Sequence, residues 1–332
     1  MIGQESLEVQ RKVQLILKVL SESPEPLGAR IISRELSNYG VDLSERAVRY
    51  HLKLMDERGL TRLVGREGRL ITERGDDDLK NALVVDRIGF VIHRIQVLAF
   101  RTTFDPLKAS GDIVTNISLF PAKRFKEALK AMQPVFKAGL CVSDRVAAAK
   151  EGQRLGHIIV PPGKVGLATV CSITTHGVLL KAGIPMGSRF GGILEMRQAR
   201  PYRFTELITY EGSTLDPFEI FISGGMTSVS EAARTGGGRV LANLRDMPAQ
   251  CRGMAQELIA RLEECGIRGT LILGEAGSPV CEIPVGLDQA GVVLLGGLNP
   301  VAAAVEAGIP ADNTAMAGIL EYNNLFPFSD LV

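Results

Sequence analysis

The sequence predicts a multidomain α/β protein: an N-terminal winged helix-turn-helix followed by a mixed α/β domain made of two similar lobes. Three observations predict it. A segment around residues 43–59 has one apolar and one basic helical face, a basic hairpin pattern follows directly, and the rest of the chain contains an internal repeat.

The elements of the first domain can be justified in order. Val9, Val13, Ile16 and Leu20 step at helical spacing and mark an amphipathic first helix, which Pro24 and Pro26 bring to an end. A short second helix, about Gly28 to Ser37, carries Ile31, Ile32 and Leu36 inward, and a turn through Asn38-Tyr-Gly40 follows. The third helix has Ser44 as N-cap, Glu45 at the positive end of its dipole and Gly59 at C′. Val48, Leu52 and Met55, flanked by Ala47, would face a core. Arg46, Arg49, Tyr50 and Lys53 would form a basic stripe opposite, as a helix lying in a DNA major groove requires. An ordinary solvated helix is the alternative for this segment alone, and its neighbours weigh against it. Leu60–Val64 and Arg69–Thr72 flank Gly65-Arg-Glu-Gly68 and read as a hairpin, the wing, with Arg62, Arg66 and Arg69 available to phosphates.

Composition sets limits on partners and location. A chain of 332 residues holds two or three domains, and a formal net charge of +1 requires any nucleic-acid contact to be local. The five cysteines (141, 171, 251, 265 and 281) form no CxxC pair, and the four histidines (51, 93, 157 and 176) have no metal-ligand spacing. Neither a disulfide framework nor a metal site is expected, which fits a reducing compartment. With no signal-peptide pattern and no apolar run long enough to span a bilayer, the expectation is a soluble cytoplasmic protein.

The acidic stretch Glu73-Arg-Gly-Asp-Asp-Asp78 reads as the joint between domains at 1–75 and 79–332. Beyond it Gly, Ala, Val and Ile dominate. Thr103-Phe-Asp-Pro106 recurs as Thr214-Leu-Asp-Pro217, Val165-Gly-Leu167 as Val285-Gly-Leu287, Ala182-Gly-Ile-Pro185 as Ala307-Gly-Ile-Pro310, and Gly192-Ile-Leu-Glu195 as Gly318-Ile-Leu-Glu321. Four matches in one order predict a duplication, with lobes at about 79–200 and 201–332 and a ligand cleft between them.

Each copy has a strand that ends at a helix N-terminus: Val165–Ile173 before a helix from Thr174, and Val292–Leu298 before a helix from Asn299. Such an end suits an anion. Cys171 and Ser172 stand where the second copy has Gly296 and Gly297, and Lys164, Lys181, Arg189, Arg197, Arg200 and Arg203 all lie in or beside the first copy. Since Arg268 is the last basic residue, the first copy is expected to hold a carboxylate ligand. Catalytic readings are weak. The glycine-rich stretches 224–225, 235–238 and 274–277 match no nucleotide-binding motif, and Cys171 as a nucleophile lacks an oriented base.

With these segments in view, the chain resembles the archaeal nitrogen-regulatory repressors (NrpR) over nearly its whole length. The resemblance rests on the wing Gly65–Thr72, Thr169–Thr174, Gly177–Pro185, Ser188–Gly192, Met226–Val229 and Gly296–Pro300. It implies a homodimeric repressor of nitrogen-fixation and ammonium-assimilation genes, with a winged helix on palindromic double-stranded operator DNA and an effector-binding domain that takes 2-oxoglutarate as inducer. Some members carry two effector domains, whereas this chain has room for one, so a second effector-domain protein joins the expected partners. The expected effector site combines Cys171, Ser172, Thr174 and Thr175 at the helix N-terminus with Arg189, Phe190 and Gly191, where glycine lets a ligand approach the backbone. No cofactor and no catalytic residue are expected. The alternatives are the same architecture sensing a different small anion and, from another class, a Cys171-dependent enzyme.

Overall fold

Residues 7–37, 41–80 and 90–332 are described by a computed structural model. The chain divides into two units, Met1–Arg87 with His157–Ile159, and Ile88–Gly156 with Val160–Val332.

In the first unit, α1 (Leu7–Ser21), α2 (Ala29–Ser37) and α3 (Glu45–Glu57) precede the hairpin β1 (Thr61–Val64) and β2 (Gly68–Ile71). Val13, Ile16, Leu17 and Leu20 of α1 meet Ile32 and Leu36 of α2 and Val48, Leu52 and Met55 of α3 in one core. Ile31, expected inward, is 40% exposed, because α2 turns a narrower apolar face to that core than its sequence offers. The turn expected at Asn38–Gly40 lies outside the described residues. Ser44 caps α3 by accepting the N–H of Ala47 at 3.2 Å, and Gly59 follows it at φ 71°. The backbone of Leu27 forms an antiparallel bridge with Arg69 of β2. It approaches so closely that a Cβ on Gly68 (φ 136°) would lie 2.3 Å from it, which explains the glycine.

The acidic stretch expected to be a joint is instead helical: α4 (Glu73–Lys80). The Thr72 hydroxyl accepts the N–H of Gly75 at 3.0 Å and donates to the carbonyl of Gly59 at 2.6 Å, which ties the helix start to the end of α3. Gln14 of α1 donates to Asp78 at 3.1 Å. The expected boundary at 75–79 therefore falls inside an element of the first unit.

The chain then runs, in the second unit apart from β6, α5 (Phe90–Arg101), β3 (Asp112–Pro121), α6 (Phe125–Lys137), β4 (Arg145–Lys150), β5 (Arg154–Leu155), β6 (Ile158–Ile159), β7 (Lys164–Val170), α7 (Ile173–Lys181), β8 (Gly187–Arg197) and β9 (Arg200–Thr209). It continues α8 (Pro217–Ser223), α9 (Val229–Thr235), β10 (Gly238–Pro248), α10 (Arg252–Glu264), β11 (Thr270–Leu273), β12 (Gln289–Leu295), α11 (Asn299–Glu306), β13 (Asp312–Glu321) and β14 (Phe326–Pro327). With the two-residue strands β5 and β6 set aside, the order strand, 3-10 turn, helix, strand, strand, helix, strand occurs from β3 to β8 and again from β10 to β13. In both passages Pro-Ala (121–122 and 248–249) ends the first strand and starts the 3-10 turn.

Two five-stranded antiparallel sheets result, in the orders β13-β3-β7-β4-β14 and β11-β12-β10-β8-β9. The last strand of each passage leaves its own sheet: β8 pairs with β10, and β13 pairs with β3. Contiguous lobes at 79–200 and 201–332 therefore do not describe the architecture, because each sheet borrows a strand from the other half. Two of the four sequence matches lie in the register of these elements, those at 182–185 with 307–310 and 192–195 with 318–321. In the other two, Val285–Leu287 precedes β12 although Val165–Leu167 lies within β7, and Thr214–Pro217 starts α8 whereas Thr103–Pro106 lies in a loop.

The central strands are buried on both faces, as in Val240–Leu244 and Ala290–Leu295. A large core joins residues of both sheets with α5, α6, α8, α9 and α11. Leu325 and Phe328, near the end of the sequence, are buried at 3% and 4%. β14 pairs with β4, and Phe328 stacks on Phe136 of α6 at 4.0 Å, so these residues belong to the core beside the β3 sheet.

Near their starts, α7 and α11 each clip the backbone of the strand that opens their own passage. The Thr174 hydroxyl bonds both the N–H and the carbonyl of Val114, at 3.0 and 3.2 Å. Asn299 accepts the N–H of Leu241 at 2.8 Å and donates to its carbonyl at 3.0 Å. Asn299→Ala should therefore destabilise the fold by about 1–3 kcal/mol, since the buried N–H of Leu241 loses its partner while its carbonyl keeps the N–H of Gly296. Urea unfolding of the variant against the parent measures it, with Ser223→Ala on the exposed end of α8 as a control expected to change little.

Candidate functional site

The stripe on α3 is arranged as expected. Arg46, Arg49, Tyr50 and Lys53 are exposed, with Tyr50 at 63%, while Val48, Leu52 and Met55 are fully buried. Arg49 pairs with Glu45 one turn earlier. A phenol that exposed on a helix whose opposite face is a closed core is available to a partner. In the wing, Arg62 and Arg66 are exposed, whereas Arg69 is half-buried and its Nε is engaged within the domain. Its Nε donates to Asp56 of α3 at 2.8 Å, and the Thr61 hydroxyl donates to the other oxygen of the same carboxylate at 2.6 Å. Arg69 therefore fastens the wing to the helix. Sequence spacing placed it at the hairpin without revealing that Asp56, thirteen residues earlier, lies beside it.

In the second unit, Cys171, Ser172, Thr174 and Thr175 are all buried at the start of α7. The helix begins at Ile173, so Thr174 lies within its first turn, and its hydroxyl is committed to Val114 as described above. The Cys171 thiol is pushed up to about 11 by burial, which keeps it protonated and removes the thiolate that nucleophilic chemistry needs. Arg189, the expected cation, donates to Asp246 at 2.7 Å, is 42% exposed, and lies over the Phe190 ring. It is the extra residue of a bulge between Ser188 and Phe190 where β8 pairs with β10. Gly191 is buried, and a Cβ there would lie 2.9 Å from the Tyr210 hydroxyl.

The cation that does reach the start of α7 is Arg245, on β10. It is 1% exposed and has no carboxylate partner among the described residues. Its Nε donates to Asn243 at 3.2 Å, and its Nη1 donates to Nδ1 of His176 at 2.9 Å and to Ser188, its cross-strand neighbour. Asn243 in turn donates to the Ser172 hydroxyl at 3.0 Å. A guanidinium has only donors, so His176 accepts through a bare Nδ1 and is the neutral Nε2–H tautomer. Burial and then the Arg245 charge hold the imidazole well below its usual pKa, consistent with that form. Tyr210 is also buried, and its hydroxyl pKa is raised by burial. Asp216, which caps α8, is pushed up to about 7, first by burial and then by Glu219.

The other half has the same backbone and different chemistry. Asn116-Ile-Ser118 on β3 occupies the position of Asn243-Leu-Arg245 on β10, and Ser118 lies opposite Asn313 as Arg245 lies opposite Ser188. The buried Ser118 hydroxyl and Asn313 Oδ1 have no hydrogen-bond partner among the described residues. Sequence reasoning missed Arg245 because it assigned cations by position along the chain. The available signal was a lone Arg within the strand-like run Val240–Met247, where a charged residue must be explained.

No cluster of His, Cys, Asp and Glu among the described residues could hold a metal, and no described helix is long and apolar enough to cross a membrane. Comparison with known proteins gives a family. Residues 88–327 match the model of the NrpR regulatory domains NRD1 and 2, and residues 14–79 match the ribonuclease R winged-helix domain. The chain is 40% identical over 318 residues to the global nitrogen regulator NrpRI of Methanosarcina mazei, covering 96% of this chain and 98% of that one. It is 33% identical to the global nitrogen regulators NrpR of Methanocaldococcus jannaschii and Methanococcus maripaludis, over 96% and 93% of this chain, and spans about half of their length (55% and 54%). The crystal structure of a nitrogen repressor-like protein from Methanococcus jannaschii superposes with a TM-score of 0.61 at 27% identity, covering 72% of this chain and 98% of that chain. With a winged-helix domain, a matching regulatory region and relatives that are regulators and not enzymes, the chain belongs to the NrpR family of nitrogen regulators.

Proposed function

We propose that the chain is a transcriptional repressor of nitrogen-assimilation and nitrogen-fixation genes that binds palindromic operator DNA as a homodimer and is released by 2-oxoglutarate. Arg245 carries the ligand part of this reading. A buried guanidinium without a counter-ion costs on the order of several kcal/mol, and an anionic ligand offsets that cost. 2-Oxoglutarate brings a carboxylate for the guanidinium, while Ser172, Ser188 and Asn243 offer neutral hydrogen-bonding groups around it. This reading keeps Cys171 and Ser172 near the ligand and replaces Arg189 with Arg245. A different small carboxylate would meet the same guanidinium, so calorimetry with a panel of dicarboxylates separates the two readings.

A gel shift on DNA upstream of nitrogen genes, with and without 2-oxoglutarate, tests the reading as a whole. Alanine at Arg46 or Arg49 should cost about 1–3 kcal/mol of specific binding where that side chain makes a bidentate base contact. Unchanged binding by the Arg46/Arg49/Lys53 triple alanine variant would refute the DNA-reading role of α3. Arg66→Ala should weaken operator and random DNA alike and flatten the salt dependence. Arg69→Ala should instead lower the stability of the winged helix, measurable as a lower melting temperature. A two-fold dimer suits a palindrome with half-sites about one helical turn apart. Sedimentation showing a monomer that still binds such DNA tightly would contradict it.

Arg245→Met should leave operator affinity near that of the parent and abolish its loss on adding 2-oxoglutarate. The coupling removed is about 1–3 kcal/mol, and methionine is a tolerable replacement for a buried charge. A pH effect should accompany binding. The carboxyl of Asp216, pushed up to about 7, is within electrostatic reach of Cys171 and Tyr210. It is mostly neutral below that pH and an anion above it, so affinity for the dianionic ligand should fall as pH rises from about 6 to 8. Asp216→Asn, which retains a capping side chain, should flatten the profile in calorimetry.

A further inference from the structure

A second cationic surface lies at the far end of the β10 sheet. Glu195 on β8 stands opposite Arg203 on β9 and opposite Arg239 on β10, and cross-strand partners in an antiparallel sheet project to the same face. Arg197 lies two residues beyond Glu195 on that face and stands opposite Arg200 across the hairpin turn. Four arginines are thereby gathered on one side of three strands. Arg234 lies in the last turn of α9, two residues before Gly236, whose carbonyl accepts the N–H of Ala199 in the turn at 2.8 Å.

Few carboxylates oppose this cluster. Glu195 accepts from Nε of Arg197 at 2.7 Å and from Nε of Arg203 at 2.9 Å, and Glu282 is within electrostatic reach of Arg203. Arg200, Arg234 and Arg239 are exposed and make no ion pair among the described residues. Because Glu195 engages the Nε atoms, the outer Nη groups of Arg197 and Arg203 stay open. Tyr202 lies between these two side chains, 3.8 Å from the Arg197 guanidinium and 5.5 Å from that of Arg203, which stiffens both. On a chain of net charge +1 this is a local concentration of pre-ordered forks, the geometry that grips phosphate oxygens in pairs.

We propose that this arginine face is a second DNA-contacting surface, which holds backbone phosphates of double-stranded DNA while the winged helix reads bases. An acidic protein segment offers carboxylates to the same forks. DNA is favoured because a regulator with a winged helix already brings duplex to the chain, and the proposal rests on that reading. It assigns to the second unit a sequence-independent, salt-sensitive share of the affinity.

The test is a fluorescence-anisotropy titration of the full chain with a random-sequence duplex over a series of KCl concentrations. Removing one phosphate-binding cation lowers the slope of log affinity against log salt by about 0.9. Arg200/Arg203/Arg239→Ala should lower it by about 2–3 and weaken binding at least tenfold near physiological salt. Lys126/Lys130/Lys137→Ala, which removes the same charge from exposed positions on α6, should leave the slope unchanged. An unchanged slope in the arginine variant, or an equal loss in the lysine variant, overturns the proposal. So does an arginine variant that keeps its DNA slope and loses binding to poly-glutamate, which assigns the face to an acidic protein. The Arg46/Arg49/Lys53 variant is titrated in parallel: if it binds operator as the parent does, the winged-helix reading fails, whereas the arginine face is judged by its own change in slope.

Discussion

The exchange of β8 and β13 between the two sheets is the constraint on which the second unit depends. Each sheet is completed by a strand that enters from the other half, so neither half can close its hydrogen-bonding ladder or bury its central strands alone. The exchange places the N-terminal turns of α7 and α11 deep in the unit, where first-turn groups can no longer turn to water. Thr174 and Asn299 answer that requirement by bonding the backbone of Val114 and Leu241. At the same crossing a Cβ on Gly297 would lie 2.2 Å from the carbonyl oxygen of Val170, so backbone fills the space there.

The same exchange assembles the polar cluster. Ser188 comes from the strand after α7, Arg245 from the opening strand of the other passage, and His176 and Ser172 from around the start of α7. They meet only because β8 pairs with β10. The two halves then differ where the backbone is most alike: Arg245 against Ser118, Ser188 against Asn313, His176 against Val301. One half buries a cation among neutral acceptors, and the other buries neutral groups. The charged copy thus holds its guanidinium in a low dielectric, where its interactions are strong.

Much of the first unit was legible along the chain. The period of Val48, Leu52 and Met55, the cap at Ser44, Gly59 after α3 and the hairpin turn residues are local signals, and helices and hairpins are made mostly of local contacts. Local reasoning failed at Arg69 and at α4. Arg69 of the wing answers to Asp56 of α3, and α4 owes its start to a threonine that bonds the end of α3. An acidic, glycine-containing stretch looked like a joint because its partners lie elsewhere in the sequence.

By itself the sequence determined the winged helix, the two-part organisation, the repeated Ala-Gly-Ile-Pro and Gly-Ile-Leu-Glu segments and the absence of a nucleotide-binding motif, since each depends on residue type and spacing. It also directed attention to the start of α7. Only the tertiary structure decided which cation arrives there, that Thr174 is occupied by backbone, that Leu325 and Phe328 close the core beside the β3 sheet, and that the halves are interwoven. Strand exchange leaves the local pattern of every strand unchanged while altering all of its partners. Residues more than fifty positions apart, such as Arg245 and Ser188, therefore form one cluster that no periodicity records.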